Sequence, residues 1–216
     1  MKNLALSLLL LLLISCAKRI SAASEPVLTS KKIIITITQE NPIVLVGKSG
    51  AAHACPVILD GIELVLTASH VAFERVTHSE GISLYPKRFY ATDFYGNAGV
   101  AEPILDNPYV DLAVLELSFK PERFNTIGPV PEPGAEVHWT EFNFTKRDHA
   151  YEPRSRKAKV INVVAGHVIF DDAVTPGASG SCLYDVLGRV VGIISWYQIL
   201  EDGKPVSGAP GFVKVE

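Results

Sequence analysis

Along most of the chain, short runs of β-branched and aromatic residues alternate with clusters of Gly, Pro, Asn and Asp. "KIIITITQ" (32–39), "IVLVGKS" (43–49), "CPVIL" (55–59), "IELVLTA" (62–68), "DLAVLEL" (111–117), "EVHWTEF" (136–142), "AKVINVVAG" (158–166), "HVIF" (167–170) and "RVVGIISWY" (189–197) each read as a strand. No long stretch carries apolar residues at helical spacing; residues 71–76 allow a single helical turn. Many short strands with Gly and Pro between them predict an all-β fold, sandwich or barrel. The proline-rich segment "KPERFNTIGPVPEPGA" (120–135) is only weakly periodic. It predicts a division into an N-terminal half over 31–120, a linker over 121–135 and a C-terminal half over 136–216.

The first residues follow a different pattern. Lys2 is followed by a largely apolar run, Leu4–Ile14, interrupted only by Ser7. Such a run is shorter than the roughly 20 residues a bilayer span needs, and it suits the core of a signal peptide. It ends in Leu13-Ile14-Ser15-Cys16, which resembles the bacterial lipobox. That resemblance implies a signal peptide over 1–15, acylation of Cys16 and a lipidated tether over 16–30. It places the protein in the cell envelope, membrane-anchored and facing the periplasm at the outer membrane. Ser21 and Ala23 support the alternative of an ordinary signal peptide cut after Ala23, which would give a soluble periplasmic or secreted protein.

Composition narrows the chemistry. The 216 residues carry a formal charge of −3, with no extended basic stripe, so nucleic acid is not an expected partner. The densest basic patch, Arg154, Arg156, Lys157 and Lys159, reads as an exposed loop. Besides Cys16, the chain has Cys55 and Cys182. In an exported protein these form either a bridge or two buried thiols. His53, His78, His138, His149 and His167 show no ligand spacing with the cysteines, so they read as scattered core or surface histidines and no metal is expected.

Chemistry enters at "TPGASGSCLYD", residues 175–185, where Ser179 lies between glycines. A serine hydroxyl is a poor nucleophile unless a base takes its proton and an acid orients that base. His70 closes "LVLTASH" after one apolar run, and Asp111 opens another. Taken together, "LTASHV", "DLAVLEL" and "PGASGS" resemble the three active-site motifs of trypsin-like serine endopeptidases, in that family's order. "GIISWY" is similar to its substrate-binding strand, and "APGFVKV" to the segment that closes its specificity pocket. The run "DDAVTPGASGSCLYDVLGRVVGI" looks closest to the periplasmic heat-shock proteases of the family.

The resemblance implies two six-stranded antiparallel β-barrels with the catalytic groups between them, and protein or peptide substrates, with no cofactor. Ser179 would attack the scissile carbonyl, His70 would carry the proton, and Asp111 would orient His70. The N–H groups of Gly177 and Ser179 would form the oxyanion hole. Ser195 would bond near Asp111, and Ser195, Trp196 and Tyr197 would pair with substrate backbone. Ala173, Val174 and Gly211 would wall an uncharged pocket preferring small to medium apolar P1 residues, with Tyr197 narrowing its entrance. A one-residue shift would instead bring Asp172 to the pocket base. The family pattern also brings the backbones of Cys55 and Cys182 close together, which makes a bridge geometrically feasible and leaves both readings open. Cys182 is the lesser candidate for the nucleophile. Ala178 departs from the aspartate of secreted digestive members, so activation through a newly cut N-terminus is not expected. The chain ends at Glu216 without the family's C-terminal helix or a following peptide-binding domain, so control by such a domain is not expected either. The remaining alternatives are a catalytically degenerate protease-fold binding module and an unrelated β-sandwich lipoprotein.

Overall fold

A computed structural model describes residues 41–47, 50–79, 81–145, 150–199 and 203–212. The leader, Cys16, the tether, the predicted strand over 32–39 and His149 lie outside the described residues.

The elements in chain order are β1 (Ile43–Gly47), β2 (Gly50–Leu59), β3 (Ile62–Thr67), α1 (Ser69–Ala72), β4 (Phe73–His78), β5 (Gly81–Pro86), β6 (Phe89–Asp93), β7 (Ala98–Asn107), β8 (Leu112–Leu117) and β9 (Asn125–Thr126). They are followed by β10 (Glu136–Thr145), β11 (Ala150–Val164), β12 (His167–Phe170), β13 (Cys182–Asp185), β14 (Val190–Ile193), β15 (Trp196–Ile199) and β16 (Pro205–Pro210).

The first half closes on itself. Its strands run in the order β1-β6-β7-β8-β3-β2, and β2 pairs back onto β1, which makes a six-stranded antiparallel barrel. Alternation along the strands fills it. In β6, Phe89 and Ala91 point inward and Tyr90 outward. Ile43, Leu45, Ala54, Val65, Ala101 and Leu115 complete the interior. Asp60-Gly61, between β2 and β3, has φ of +49° and +78°. Positive φ at both central residues matches a type I′ hairpin, whose twist fits the flanking strands.

The second half is a curled sheet in the order β14-β13-β10-β11-β12-β16-β15. It folds round until Gly192 of β14 bridges Gly211, just past β16. A side chain at Gly211 would crowd the Gly166 carbonyl at 2.9 Å, so this near-closure needs glycine. Val137, Trp139, Val160, Phe170, Leu183, Val191 and Ile194 form its core. A third buried cluster joins the halves: Cys55, Val57, Leu66 and Val114 meet Cys182, Tyr184, Val190 and Ile193. A Cys55–Cys182 disulfide lies within it.

Four sequence expectations change in detail. The helical turn is α1, Ser69–Ala72, and Val76 lies in β4 opposite Ser83; β-branched Val76 and Thr77 favour extended backbone. The segment "RVVGIISWY" is two strands, because the chain leaves β14 after Ile193 and Ser195 N–H bonds Gly208 O instead. The linker contains β9, which runs parallel to Val57–Ile58 of β2, and Asn125 Nδ2 donates to Pro56 O at 2.7 Å. Arg154, Arg156, Lys157 and Lys159 are strand residues of β11 rather than a loop. Long basic side chains obscured that strand, although their alternation with Ala158 and Val160 suits one polar and one buried face.

Candidate active site

β3 delivers the chain to the rim of the first barrel, where α1 makes one turn. Ser69 N–H donates to Asp111 O at 3.1 Å. His70 N–H donates to Asp111 Oδ1 at 2.9 Å, and His70 Nδ1 lies 2.7 Å from Asp111 Oδ2. An ionised carboxylate only accepts, so Nδ1 carries the proton and Nε2 is left with a lone pair. His70 is thus held through main chain and side chain by one residue. Asp111 does this from φ +52°, a left-handed conformation that Asp tolerates better than most residues. Ser195 Oγ, 2.5 Å away, also donates to Asp111 Oδ2. Burial pushes the Asp111 carboxyl up, but the bonds from the His70 ring, Ser195 and the His70 backbone, with the positive charge His70 carries when protonated, outweigh it. The net result is a carboxyl held below the ordinary carboxylate value.

Ser179 stands on the second half, half-buried in a tight turn. Gly177 adopts φ +98° and Gly180 φ +87°, conformations that side chains disfavour. A Cβ on Gly180 would also collide with the His53 carbonyl and Thr67 Oγ1. The turn is tied on several sides. Ala178 N–H bonds Thr175 O at 3.0 Å, Ser181 N–H bonds Ala178 O at 3.0 Å, and Gly180 N–H bonds Ile194 O at 2.7 Å. Two ties come from His53 on β2: its N–H to Ser179 O at 2.9 Å, and its Nδ1 to Gly177 O at 2.6 Å. The N–H groups of Gly177 and Ser179 donate to no acceptor among the described residues, and Ser179 Oγ makes no hydrogen bond to His70 there. Cys182, the lesser nucleophile candidate, is spent in the disulfide.

The remaining candidates lie in the second half, with Gly211 beside Gly166 and Gly192. Val174 is buried, and its N–H bonds Ser207 Oγ at 3.1 Å. Beside Ala173, the Asp172 carboxylate takes Arg156 Nη2 at 2.7 Å and the Ala173 N–H at 2.8 Å. Trp196 packs across Gly208, where any Cβ would overlap the indole. Trp196 and Tyr197 begin β15, which pairs with β16 and is the last strand of its sheet; the Tyr197 side chain lies outside the described part. His53, grouped with the scattered histidines from sequence, belongs to the site. One signal could have found it. His53 and Cys55 are two apart on one strand, so they share a face, and that face meets the Ser179 turn and the strand after it.

A barrel and a curled half-barrel with a His–Asp pair on one and a glycine-flanked serine on the other define the double-barrel serine-protease fold. The trypsin-like peptidase domain model matches residues 44–193, and the chain belongs to that family. No curated protein matches it by sequence. Solved structures share the fold. The thermostable serine protease AL20 from an extremophilic microorganism aligns with TM-score 0.56 and 16% identity, over 80% of this chain and 90% of that one. The MamO protease domain from Magnetospirillum magneticum gives 0.53 and 18%, over 82% and 94%. The HtrA-type protease AlgW with a tripeptide gives 0.53 and 18%, over 79% and 56%.

Proposed function

We propose that the chain is a serine endopeptidase that hydrolyses peptide bonds through an acyl-enzyme. The observation that carries this is the hydrogen-bonded set Ser195–Asp111–His70, oriented so that Nε2 keeps a lone pair, together with a serine turn that leaves two adjacent N–H donors free. Ser179 Oγ attacks the scissile carbonyl while His70 Nε2 takes its proton. The resulting imidazolium is stabilised by Asp111, and the oxyanion by the Gly177 and Ser179 N–H groups. His70 then protonates the leaving amine, and water repeats the sequence on the ester. Apo protease sites often have a loose serine–histidine contact that tightens with substrate, so the absent Ser179–His70 bond is compatible with this role.

The position of β15 supports substrate pairing. As a terminal strand it offers its outer edge to an extended peptide, which would add main-chain bonds there. The bonds that Asp172 already makes support an uncharged P1 pocket among Ala173, Val174 and Gly211. For location, the Cys16 motif supports a lipid anchor in the cell envelope, which mass spectrometry of the mature N-terminus tests: an unacylated start at Ser24 rejects it.

The activity test is a fluorophosphonate probe with purified mature protein. Labelling and peptidase activity that vanish in Ser179→Ala are expected. Full peptidase activity in Ser179→Ala rejects the assignment, and a wild type inert to probe and peptides favours the degenerate binding module.

A further inference from the structure

We propose that His53 is a positioning residue for the oxyanion donors: its ring holds the Gly177 carbonyl and its main chain holds Ser179, which sets the turn that presents the two free N–H groups. This rests on the protease reading above and adds to it a residue outside the triad.

The argument starts from Gly177. Glycine permits φ +98°, but the same permissiveness gives the turn little preference of its own. Something outside the turn must select one orientation of its peptides. The peptide between Gly177 and Ala178 is fixed at both ends, its carbonyl by His53 Nδ1 at 2.6 Å and its N–H by Thr175 O at 3.0 Å. Rotating that peptide would break both bonds and turn the Gly177 carbonyl away from its imidazole donor. The ψ angle of Gly177 is therefore locked, and with it the relation between the Gly177 and Ser179 N–H groups.

His53 is itself immobilised. It is 2% exposed, its carbonyl accepts from Thr67 Oγ1 at 2.7 Å, and its N–H donates to Ser179 O. A carbonyl can only accept, so Nδ1 must carry the proton. Burial pushes the imidazole down to about 4, against the opposing pull of the Gly177 carbonyl and of Glu141. The ring therefore stays neutral with one tautomer. Glu141, on β10, is the buried acid whose charge acts on it, and its carboxylate takes Trp139 Nε1 at 3.3 Å.

The test compares His53→Asn with His53→Leu. Asn places an amide N–H where Nδ1 stood, and Leu fills the space without a donor. Loss of one oxyanion donor costs roughly 10²–10³-fold in kcat. His53→Leu should lose about that order in kcat with KM unchanged. It should lose affinity for a peptide aldehyde in parallel, while binding of intact peptide, measured in a Ser179→Ala background, stays the same. His53→Asn should recover most of both losses. Equal loss in the two variants, or wild-type kcat in His53→Leu, overturns the proposal. Because both variants could fold poorly, a second measurement uses the wild type alone. ¹⁵N NMR of its histidines should show one ring protonated at Nδ1 and not titrating between pH 5 and 8 by the direction of its shift; no such ring overturns the proposal. A wild type inert to the fluorophosphonate would instead sink the protease reading, so the two failures are distinguishable.

Discussion

Cys55 of β2 and Cys182 of β13 are covalently joined across the two halves of the molecule. Cys55 lies two residues past His53, and Cys182 three past Ser179. The bond therefore pins the Ser179 turn to the strand that supports it, one β-pairing away from the strand that leads to His70. The two sulfurs close a sequence separation of 127 residues. The chain-entropy model gives about 5 kcal/mol for a loop of that size, an upper figure before native strain. Replacing both cysteines with alanine should lower unfolding free energy by roughly 2–5 kcal/mol in a urea titration. Free Cys55 and Cys182 thiols in denatured, unreduced mature protein would refute the bridge.

The grip of Asp111 on His70 predicts a large effect from a small change. Asp111→Asn keeps the shape but can turn an amide N–H toward Nδ1, which favours the wrong imidazole tautomer. A fall of about 10⁴-fold in kcat is expected. Ser195→Ala removes one donor from the same carboxylate and should act more mildly, within about tenfold to a hundredfold, the size of one hydrogen bond to a charged group. Steady-state kinetics on one peptide substrate ranks the two. Equal effects would show that Ser195 does more than solvate Asp111.

Much of this was readable from the residues alone, for physical reasons that differ by element. β3, β8 and β10 are continuous apolar or alternating runs, and nothing tertiary is needed to see them. β7 and β16 were missed because their strand character is imposed from outside. Pro103 interrupts β7, and the strand passes it with a register shift between Pro103 and Leu105. β16, "PVSGAP", has two prolines and a glycine and is extended only because β12 and β15 pair with its two edges. Its Gly208 is required by Trp196, which covers it. The His70 and Asp111 motifs are legible because each sits at the end of a legible run, and the Ser179 motif because glycines flank it. His53 is not, since its role depends on which turn it faces.

Acid should destabilise the fold through that histidine. The His53 imidazole titrates at about 4 in the native protein against an ordinary 6.5. Between these values the unfolded chain binds a proton that the folded chain refuses, so stability falls as pH drops. The loss is absent above about pH 6.5 and complete below about pH 4, and amounts to roughly 3 kcal/mol. Asp111, held below its ordinary value, adds to the loss with the same sign, below the ordinary carboxylate range. Urea midpoints measured from pH 7 to 4 should slope in wild type and flatten in His53→Asn. Parallel slopes would place the acid sensitivity elsewhere.

Gly177 separates conformation from contact. Its φ of +98° strains any side chain, and an added Cβ would also sit 3.3 Å from Ala51 O. Gly177→Ala should cost about 1–2 kcal/mol in stability. It should cost more in turnover, because the turn relieves the strain by moving the donor. The comparison is Tm against kcat for Gly177→Ala and for Gly188→Ala, a positive-φ control at a surface turn with φ +74°. If both variants lose activity only in proportion to stability, Gly177 has no role beyond its turn.

Under the proposed protease reading, the choice of P1 residue turns on Asp172. A free carboxylate at the base of the pocket would select Lys or Arg, but this one is occupied. Arg156 reaches it from β11 at 2.7 Å, the Ala173 N–H takes its other oxygen at 2.8 Å, and both Arg156 and Asp172 are mostly buried. The guanidinium also lies over the Trp139 ring, 6.0 Å from its centre, so it is held on two sides. A basic P1 side chain would have to displace Arg156 or lose its own hydration unpaired, and either is costly. A P1-varied peptide library should therefore show cleavage after Val, Ala, Ile or Leu. Selectivity among these should be shallow, since one methylene changes rates only about 10–200-fold. Arg156→Gln supplies the contrast: it frees Asp172 and should raise cleavage after Lys and Arg relative to wild type. If wild type itself cuts chiefly after Arg or Lys, the apolar pocket is wrong and Asp172 is the specificity residue despite its partner.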